Sequence, residues 1–281
     1  MKFSIVIPLY NKENSITKTL NSVINQTYKD FEVIVVDDGS KDNSLQRVKE
    51  IKDDRIRVIT KENEGVSKAR NVGIKNARYD WIAFLDADDL WKANHLETIV
   101  KLYEKCPKAK LLTTSFCFED EKDKKDIQLK EELFYYVDDY YERLYKGAVV
   151  WTSIAVVNKE CFDKCGYFKE YLIKGEDLDM WSRIIDKYLL AKTDIITAYY
   201  RREILDKRLS TSVNSVKKYE VYYFCLKNIF NPNAKTRYQY HVIWTFIKHF
   251  IVNKQFCNLL LIVLKYNFKL LFIPINLPKY K

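Results

Sequence analysis

Glycine is scarce in this chain of 281 residues: there are six, at positions 39, 65, 73, 147, 166 and 175. No spacing among them builds Gly-x-Gly-x-x-Gly or a Walker loop, which disfavours a dinucleotide-binding Rossmann site and a P-loop nucleotidase. A phosphate-bearing ligand would then be held mainly through metal. Long apolar runs are missing too. None exceeds the six residues Leu259 to Leu264, far short of the roughly 18 that suggest a membrane span, so no segment is expected to cross a bilayer. The six cysteines (106, 117, 161, 165, 225 and 257) show no paired framework. Cys161-x-x-x-Cys165 lacks the nearby His or further Cys of a zinc site, and buried or idle thiols are expected. Residues Met1 to Pro8 lack a basic n-region and a small-residue cleavage site, so a cytoplasmic, reducing location is the default expectation.

What is present supports a substantial core. The chain is 47% hydrophobic, and its length suits one large domain, or one domain with an appendage. The formal charge of +10 resembles a nucleic-acid signal until it is located. Residues 211 to 281 hold eleven basic side chains against one acid, and the first 210 residues balance at 37 of each sign. That neutral part offers no extended basic groove, and no nucleic-acid partner is expected.

The run Asp86-Ala87-Asp88-Asp89 directly follows the apolar stretch Trp81 to Leu85. Carboxylates this crowded repel one another unless water, a positive partner or a hard divalent cation offsets them, and Mg²⁺ or Mn²⁺ is the natural occupant. A solvated turn with Asp89 capping a helix near Trp91 is the bland alternative. Against it stands a second strand of the same design, Phe31 to Val36, which runs into Asp37-Asp38-Gly39-Ser40. In open α/β sheets ligands gather beyond the carboxyl ends of parallel strands, so both clusters are expected at one crevice.

Strands at Phe3–Ile7, Phe31–Val36, Ile56–Ile59 and Trp81–Leu85 alternate with helical spacing at Ile16, Leu20, Val23 and Ile24, at Leu45, Val48 and Ile51, and from Val66 to Ile74. Asp42 or Ser40 can cap the second of these helices. The alternation predicts a mostly parallel sheet flanked by helices. A helix from Asn94 to Lys105, a strand from Leu111 to Phe116, a charged surface segment at 119–132 and a helix entered through Gly175-Glu176-Asp177 follow.

Four ordered motifs resemble those of family 2 glycosyltransferases: Ile5-Val6-Ile7-Pro8-Leu9-Tyr10-Asn11, Val35 to Ser40, Asn63 to Asn71 and Phe84 to Asp89, with Gly175-Glu176-Asp177-Leu178 extending the match over roughly residues 1 to 205. The resemblance implies a GT-A fold and an inverting transfer from a nucleotide-activated sugar. It puts Pro8, Tyr10 and Glu13 along the base and ribose. Asp38 would accept a hydrogen bond from the uracil ring, whose nitrogen is a donor, which favours a UDP-sugar. Asp37 would only cap or orient its turn. Arg70 falls near the nucleotide. Asp86, Ala87 and Asp88 form the Asp-x-Asp motif, with Asp88 on the Mn²⁺ or Mg²⁺ ion and Asp86 on ribose or a metal-bound water.

On the same resemblance Glu176 and Asp177 form the catalytic pair, with Asp177 the general base that takes the acceptor hydroxyl proton. Acids at a helix start are also favourable through the helix dipole alone. Trp181, one turn on, would stack on an acceptor sugar, although a place in the apolar core is the better-supported reading. Tyr199 to Arg202 occupies the stretch where family members often carry a His or Arg over the phosphates, and there is no His here.

The expected division is a catalytic domain at 1–210, comprising a nucleotide-binding half 1–110 and an acceptor half 111–210, with a basic, aromatic helical extension at 211–281. In that extension Tyr219, Tyr222, Tyr223, Leu226, Ile229 and Phe230 share one helical face. Val242, Ile243, Trp244, Phe246, Ile247, Phe250 and Ile251 crowd a second segment, with Lys248, Lys254, Lys265 and Lys269 interleaved. This pattern suits an anionic membrane surface, with packing on the catalytic domain or a homodimer contact as the alternative. The expected acceptor is a glycan or lipid-linked hydroxyl in surface polysaccharide or lipooligosaccharide assembly. A sugar-phosphate nucleotidyltransferase is the rival enzyme class, opposed by the missing glycine-rich amino-terminal loop. A non-catalytic glycan or membrane adaptor is the other rival, opposed by the Asp-x-Asp and Glu-Asp pairs.

Overall fold

A computed structural model describes residues 1–121, 133–144, 149–201, 235–236, 238–239, 242–244, 247 and 256–266. The chain forms two compact units. The first comprises Met1–Asp138, Val150–Glu170 and Met180–Asp206, and the second Asp139–Val149, Tyr171–Asp179 and Lys207–Lys281.

In the first unit, β1 (Phe3–Leu9), β2 (Phe31–Asp37), β3 (Ile56–Thr60) and β4 (Trp81–Phe84) alternate with α1 (Ile16–Ile24), α2 (Ser44–Glu50) and α3 (Val66–Asn76). Every residue of β2 and β4 is buried, as is all of β1 except the half-buried Pro8. Near-continuous apolar strands are what a parallel sheet covered on both faces requires. There follow β5 (Leu90–Trp91), α4 (His95–Lys105), β6 (Ala109–Phe118), β7 (Phe134–Val137), β8 (Ala155–Asn158), α6 (Glu160–Cys165) and β9 (Leu189–Tyr200). Two short elements of the second unit interrupt that series: α5 (Tyr140–Arg143), and the first turn of α7 (Glu176–Ile185), whose later residues return to the first unit.

Among the described residues nine strands join one sheet in the order β3-β2-β1-β4-β8-β6-β9-β5, with β7 also on β9. The parallel sheet expected from the alternation is found in β3-β2-β1-β4. Beyond β4 the sheet is mixed: β8 runs antiparallel to both β4 and β6, while β6 and β9 are parallel. Periodicity reports which residues are buried and is blind to strand direction, so this change could not be read from it.

The faces divide by residue parity. Phe3, Ile5, Ile7 and Leu9 pack with Ile16 and Leu20 of α1, Val48 of α2 and Leu96, Ile99 and Leu102 of α4. On the other face, Gly73 of α3 sits so close to β1 that a Cβ there would lie 2.3 Å from Val6 Cγ1. Phe84 meets Phe162 of α6 at 6.2 Å and Trp181 of α7 at 6.0 Å between ring centroids. Cys161 is also buried, which pushes its thiol up to about 12 and leaves it inert at neutral pH.

Within the second unit Tyr140 of α5 is buried against Tyr141, and Lys235 lies over the Tyr141 ring at 5.3 Å. Helix α8 (Phe256–Tyr266) buries Ile262 and Tyr266 and exposes Leu260, Val263 and Leu264. Among the described residues no helix is long and apolar enough to cross a membrane. Most of the tail positions named above, Tyr219 to Phe230 among them, lie outside the described residues, as does most of the charged segment after Glu121.

Candidate active site

Strand β1 pairs with β2 on one side and β4 on the other. The chain order therefore reverses at β1, and in open α/β sheets the ligand crevice is expected beside such a reversal, at the carboxyl ends of the strands. Tyr10, Asp38, Arg70, Asp86 and Asp88 all lie on or beside the segments that follow β1, β2 and β4.

The loop after β1 is laced to the loop after β2. Asn11 takes a left-handed conformation with φ 51°. Its N–H donates to Ser40 Oγ at 3.1 Å, and its Oδ1 accepts the Lys41 N–H at 2.8 Å. The Lys12 N–H donates to Ser44 Oγ (2.6 Å), the Glu13 N–H to Asp42 Oδ2 (3.1 Å), and Glu13 Oε2 accepts the Asn43 N–H (3.0 Å). Burial alone would push Asp42 up, but hydrogen bonds from Ser44 and Glu13 hold it below the usual carboxylate value. The N-cap position of α2 is Asn43, without a side-chain capping bond, so neither Asp42 nor Ser40 is the cap expected of them; Asp42 instead braces the turn before the helix, its Oδ1 accepting the Ser44 N–H at 2.9 Å. Tyr10 projects from the end of β1 with 41% of its surface exposed, next to the half-buried Pro8.

Asp37 orients its turn by accepting the Ser40 N–H at 3.2 Å. Asp38 is buried. Its Oδ1 accepts from Lys61 Nζ (2.5 Å) and the Glu64 N–H (3.1 Å), and its Oδ2 from the Gly65 N–H (2.8 Å). A carboxylate named for reading a pyrimidine thus commits three of its roughly four lone-pair sites to fastening the loop that opens α3. Gly39, at φ +74°, lets that loop approach, since a Cβ there would stand 3.0 Å from the Asn63 nitrogen. From α3, the buried Arg70 places Nη2 2.9 Å from Asp86 Oδ1.

The acid run forms a turn, with the Asp89 N–H donating to the Asp86 carbonyl at 3.1 Å. Asp86 and Asp88 keep 28% and 24% of their side chains exposed, while Ala87 and Asp89 turn inward. Lys12 Nζ stands 2.8 Å from Asp88 Oδ2. Two expectations are corrected here. The Ala87 side chain lies in the core and its carbonyl accepts from Thr19 Oγ1 at 3.0 Å, so it clamps the loop and its side chain is turned away from any nucleotide. Asp89 caps no helix near Trp91, because Leu90–Trp91 is a strand and α4 starts at His95. Its Oδ2 accepts from Ser153 Oγ (2.6 Å) and its Oδ1 from the Arg201 N–H (3.3 Å). Burial, then the charges of Asp86 and Asp88, push the Asp89 carboxyl well above its ordinary value.

Ser153 is a residue the motifs do not signal. Besides donating to Asp89, its Oγ accepts the Asp86 N–H at 3.1 Å, and its carbonyl accepts the Trp91 indole N–H at 2.6 Å. It is fully buried, and orphaning any one of these partners costs about 1–3 kcal/mol. Its partners lie more than sixty residues away in sequence, and no local pattern marks it. Arg201, in the stretch expected to close over phosphates, donates from Nε to Glu119 at 2.8 Å, and Arg202 lies outside the described residues. His95 is buried and stacked on Trp91, and burial lowers its pKa to about 3. That keeps it neutral and removes it from proton transfer near pH 7.

Trp181 takes the core place its apolar helical face favours, and the acceptor-stacking alternative is the one corrected. Its side chain is fully buried against Phe84 and Phe168, so it is core and has no face for an acceptor sugar. Glu176 and Asp177 belong to the second unit, in the acidic first turn of α7. Asp177 is half-buried, with Oδ1 accepting the Leu178 N–H at 2.8 Å.

Asp86 and Asp88 offer only hard oxygen donors, which suits Mg²⁺ or Mn²⁺, ions commonly held by one or two carboxylates with substrate phosphates and water completing the shell. Among the described residues no group of three or more His, Cys, Asp or Glu is arranged to hold a metal, so an ion here would draw the rest of its shell from substrate and water.

The family model for glycosyl transferase family 2 matches residues 4–166. The chain belongs to this family. It is 34% identical over 158 residues to glycosyltransferase GlyA of Streptococcus pneumoniae serotype 4, covering 54% of this chain and 21% of that protein. The Escherichia coli UDP-Glc:alpha-D-GlcNAc-diphosphoundecaprenol beta-1,3-glucosyltransferase WfgD is 44% identical over 100 residues, covering 35% of this chain and 40% of WfgD. This family 2 chain thus matches well under half the length of either relative. Among solved structures, S. aureus TarS 1–349 in complex with UDP-GlcNAc superposes with a TM-score of 0.68 at 24% identity, covering 89% of this chain and 73% of that one. The mannosyltransferase PcManGT from Pyrobaculum calidifontis, in complex with GDP-Man and Mn2+, gives 0.54 at 18% identity, over 74% of this chain and 58% of that one. The shared fold is GT-A.

Proposed function

We propose that this family 2 chain is an inverting glycosyltransferase. It moves a sugar from a UDP-sugar to a hydroxyl of a glycan or lipid-linked acceptor during surface-glycan synthesis. The observation that carries this is the meeting of the β1 loop, α3 and the acid run at one crevice, with Lys12 on Asp88 and Arg70 on Asp86. The exposed Tyr10 ring suits stacking on a base, flanked by Pro8 and Glu13. Asp38 acts mainly by fixing the Lys61–Gly65 loop and keeps at most one lone pair for the uracil. In this reading Asp86 serves the ribose and Asp88 the divalent cation. When bound, that cation neutralises charge on the departing diphosphate. Asp177 accepts the acceptor's proton as the new C–O bond forms and the bond to diphosphate breaks. No covalent intermediate is needed. The UDP donor and lipid-diphosphate acceptor named for WfgD support this substrate class.

The deciding experiment offers a panel of UDP-, GDP- and ADP-sugars with Mn²⁺ and reads nucleotide release by slow hydrolysis. Release from a UDP-sugar alone is expected. Release only from a GDP-sugar would overturn the donor assignment, and absence of UDP binding in Mn²⁺ would favour the non-catalytic adaptor.

The exposed stripe on α8, with Leu260 and Leu264 at 57% and 68% exposure, supports attachment to an anionic membrane from the cytoplasmic side. Leu260→Asp combined with Leu264→Asp should abolish co-flotation with phosphatidylglycerol liposomes. Undiminished flotation would reject this contact, and loss of a dimer on gel filtration would assign the stripe to a second copy.

A further inference from the structure

The two partly exposed acids after β4 are met by cations of different character. Arg70 is buried, with its guanidinium over the Phe168 ring at 5.5 Å. Lys12 sits at the rim, with 19% of its side chain exposed and its ammonium 2.8 Å from Asp88 Oδ2. Its main chain is pinned by Ser44 Oγ, and the adjoining Asn11 and Glu13 are bonded to the β2 loop and the start of α2. What can move is a four-carbon stem ending in a compact point charge with no fixed geometry. With 19% and 24% of the two side chains exposed, solvent still reaches the pair, and a lysine stem of this length can carry its charge to a new anion beside it.

A divalent cation on Asp88 would stand within a few ångströms of that ammonium, and like charges so close repel. Lys12 must then yield, and the negative charge arriving with the cation is the diphosphate. We propose that Lys12 is a diphosphate ligand that guards Asp88: its ammonium neutralises the carboxylate until donor arrives, then passes to the diphosphate as the metal takes Asp88. Metal and nucleotide each remove an obstacle to the other, and the coupling is reciprocal. This rests on the metal and nucleotide reading of the same site.

The test is calorimetric titration of the full chain with MnCl2 alone, and with UDP in saturating MnCl2, for wild type, Lys12→Met and Lys12→Arg. Lys12→Met should bind Mn²⁺ alone about tenfold more tightly and UDP about tenfold more weakly, a size usual for such couplings. Lys12→Arg, which keeps the charge, should stay near wild type in both. Mn²⁺ affinity that is unchanged or weaker in Lys12→Met overturns the exchange, and so does unchanged UDP affinity. Failure of the underlying reading looks different: neither wild type nor variant binds Mn²⁺, and UDP binds as well in EDTA, which removes the exchange as well. Should Lys12→Met not melt cooperatively, Lys12→Gln makes the same comparison.

Discussion

Asp88→Ala is expected to lower Mn²⁺-dependent UDP release by about 10²–10³-fold, the range for losing one preorganised electrostatic element at a developing charge. The neighbouring acids are poor substitutes. Asp89 is buried and bonded to Ser153 and the Arg201 backbone, and Asp86 is drawn toward the buried Arg70. The fold should be spared, because Asp88 and its partner Lys12 are both partly solvated, so water can reach the ammonium left behind. Initial rates of UDP release across a manganese titration, beside a thermal melt, check this. A rate within threefold of wild type would remove Asp88 from the chemistry.

Asp177→Asn should cut sugar transfer by about 10²–10⁴-fold, the usual contribution of a general base, while UDP affinity in Mn²⁺ stays at its wild-type value. The separation of effects is the point. The amide keeps the shape and an acceptor oxygen for the Leu178 N–H, so the start of α7 should persist, but it cannot take the hydroxyl proton. Acids in the first turn of a helix also interact favourably with its dipole, which makes a purely structural role the competing account. That account predicts a lowered melting temperature with transfer intact. Glu176→Gln, run in parallel, decides between the adjacent carboxylates. Loss of transfer in Glu176→Gln alone would move the base there.

Much of the crevice was legible in the chain before folding. Phe31–Val36 and Trp81–Leu85 read as buried strands because a sheet covered on both faces needs apolar side chains at nearly every position, and the acids directly after them had to emerge at the carboxyl ends. Asp86 to Asp89 close as a hydrogen-bonded turn, which leaves Asp86 and Asp88 partly exposed while Ala87 packs inward; apolar periodicity does not report that turn. Trp181 stood on an apolar helical face, and its burial followed that pattern where the acceptor assignment did not.

Local spacing is set by neighbours a few residues away, so the order of strands and helices in the nucleotide-binding half, the two acid runs and the family they announce were determined by sequence alone. The partners were not. Lys12 reaches Asp88, Arg70 reaches Asp86, and Ser153 ties Asp86 to Asp89 only because the sheet places β4 beside β1 and β8 beside β4. Such pairings join segments as many as 76 positions apart, and a charge at that separation chooses its counter-ion by where the backbone carries it, which only the folded chain decides.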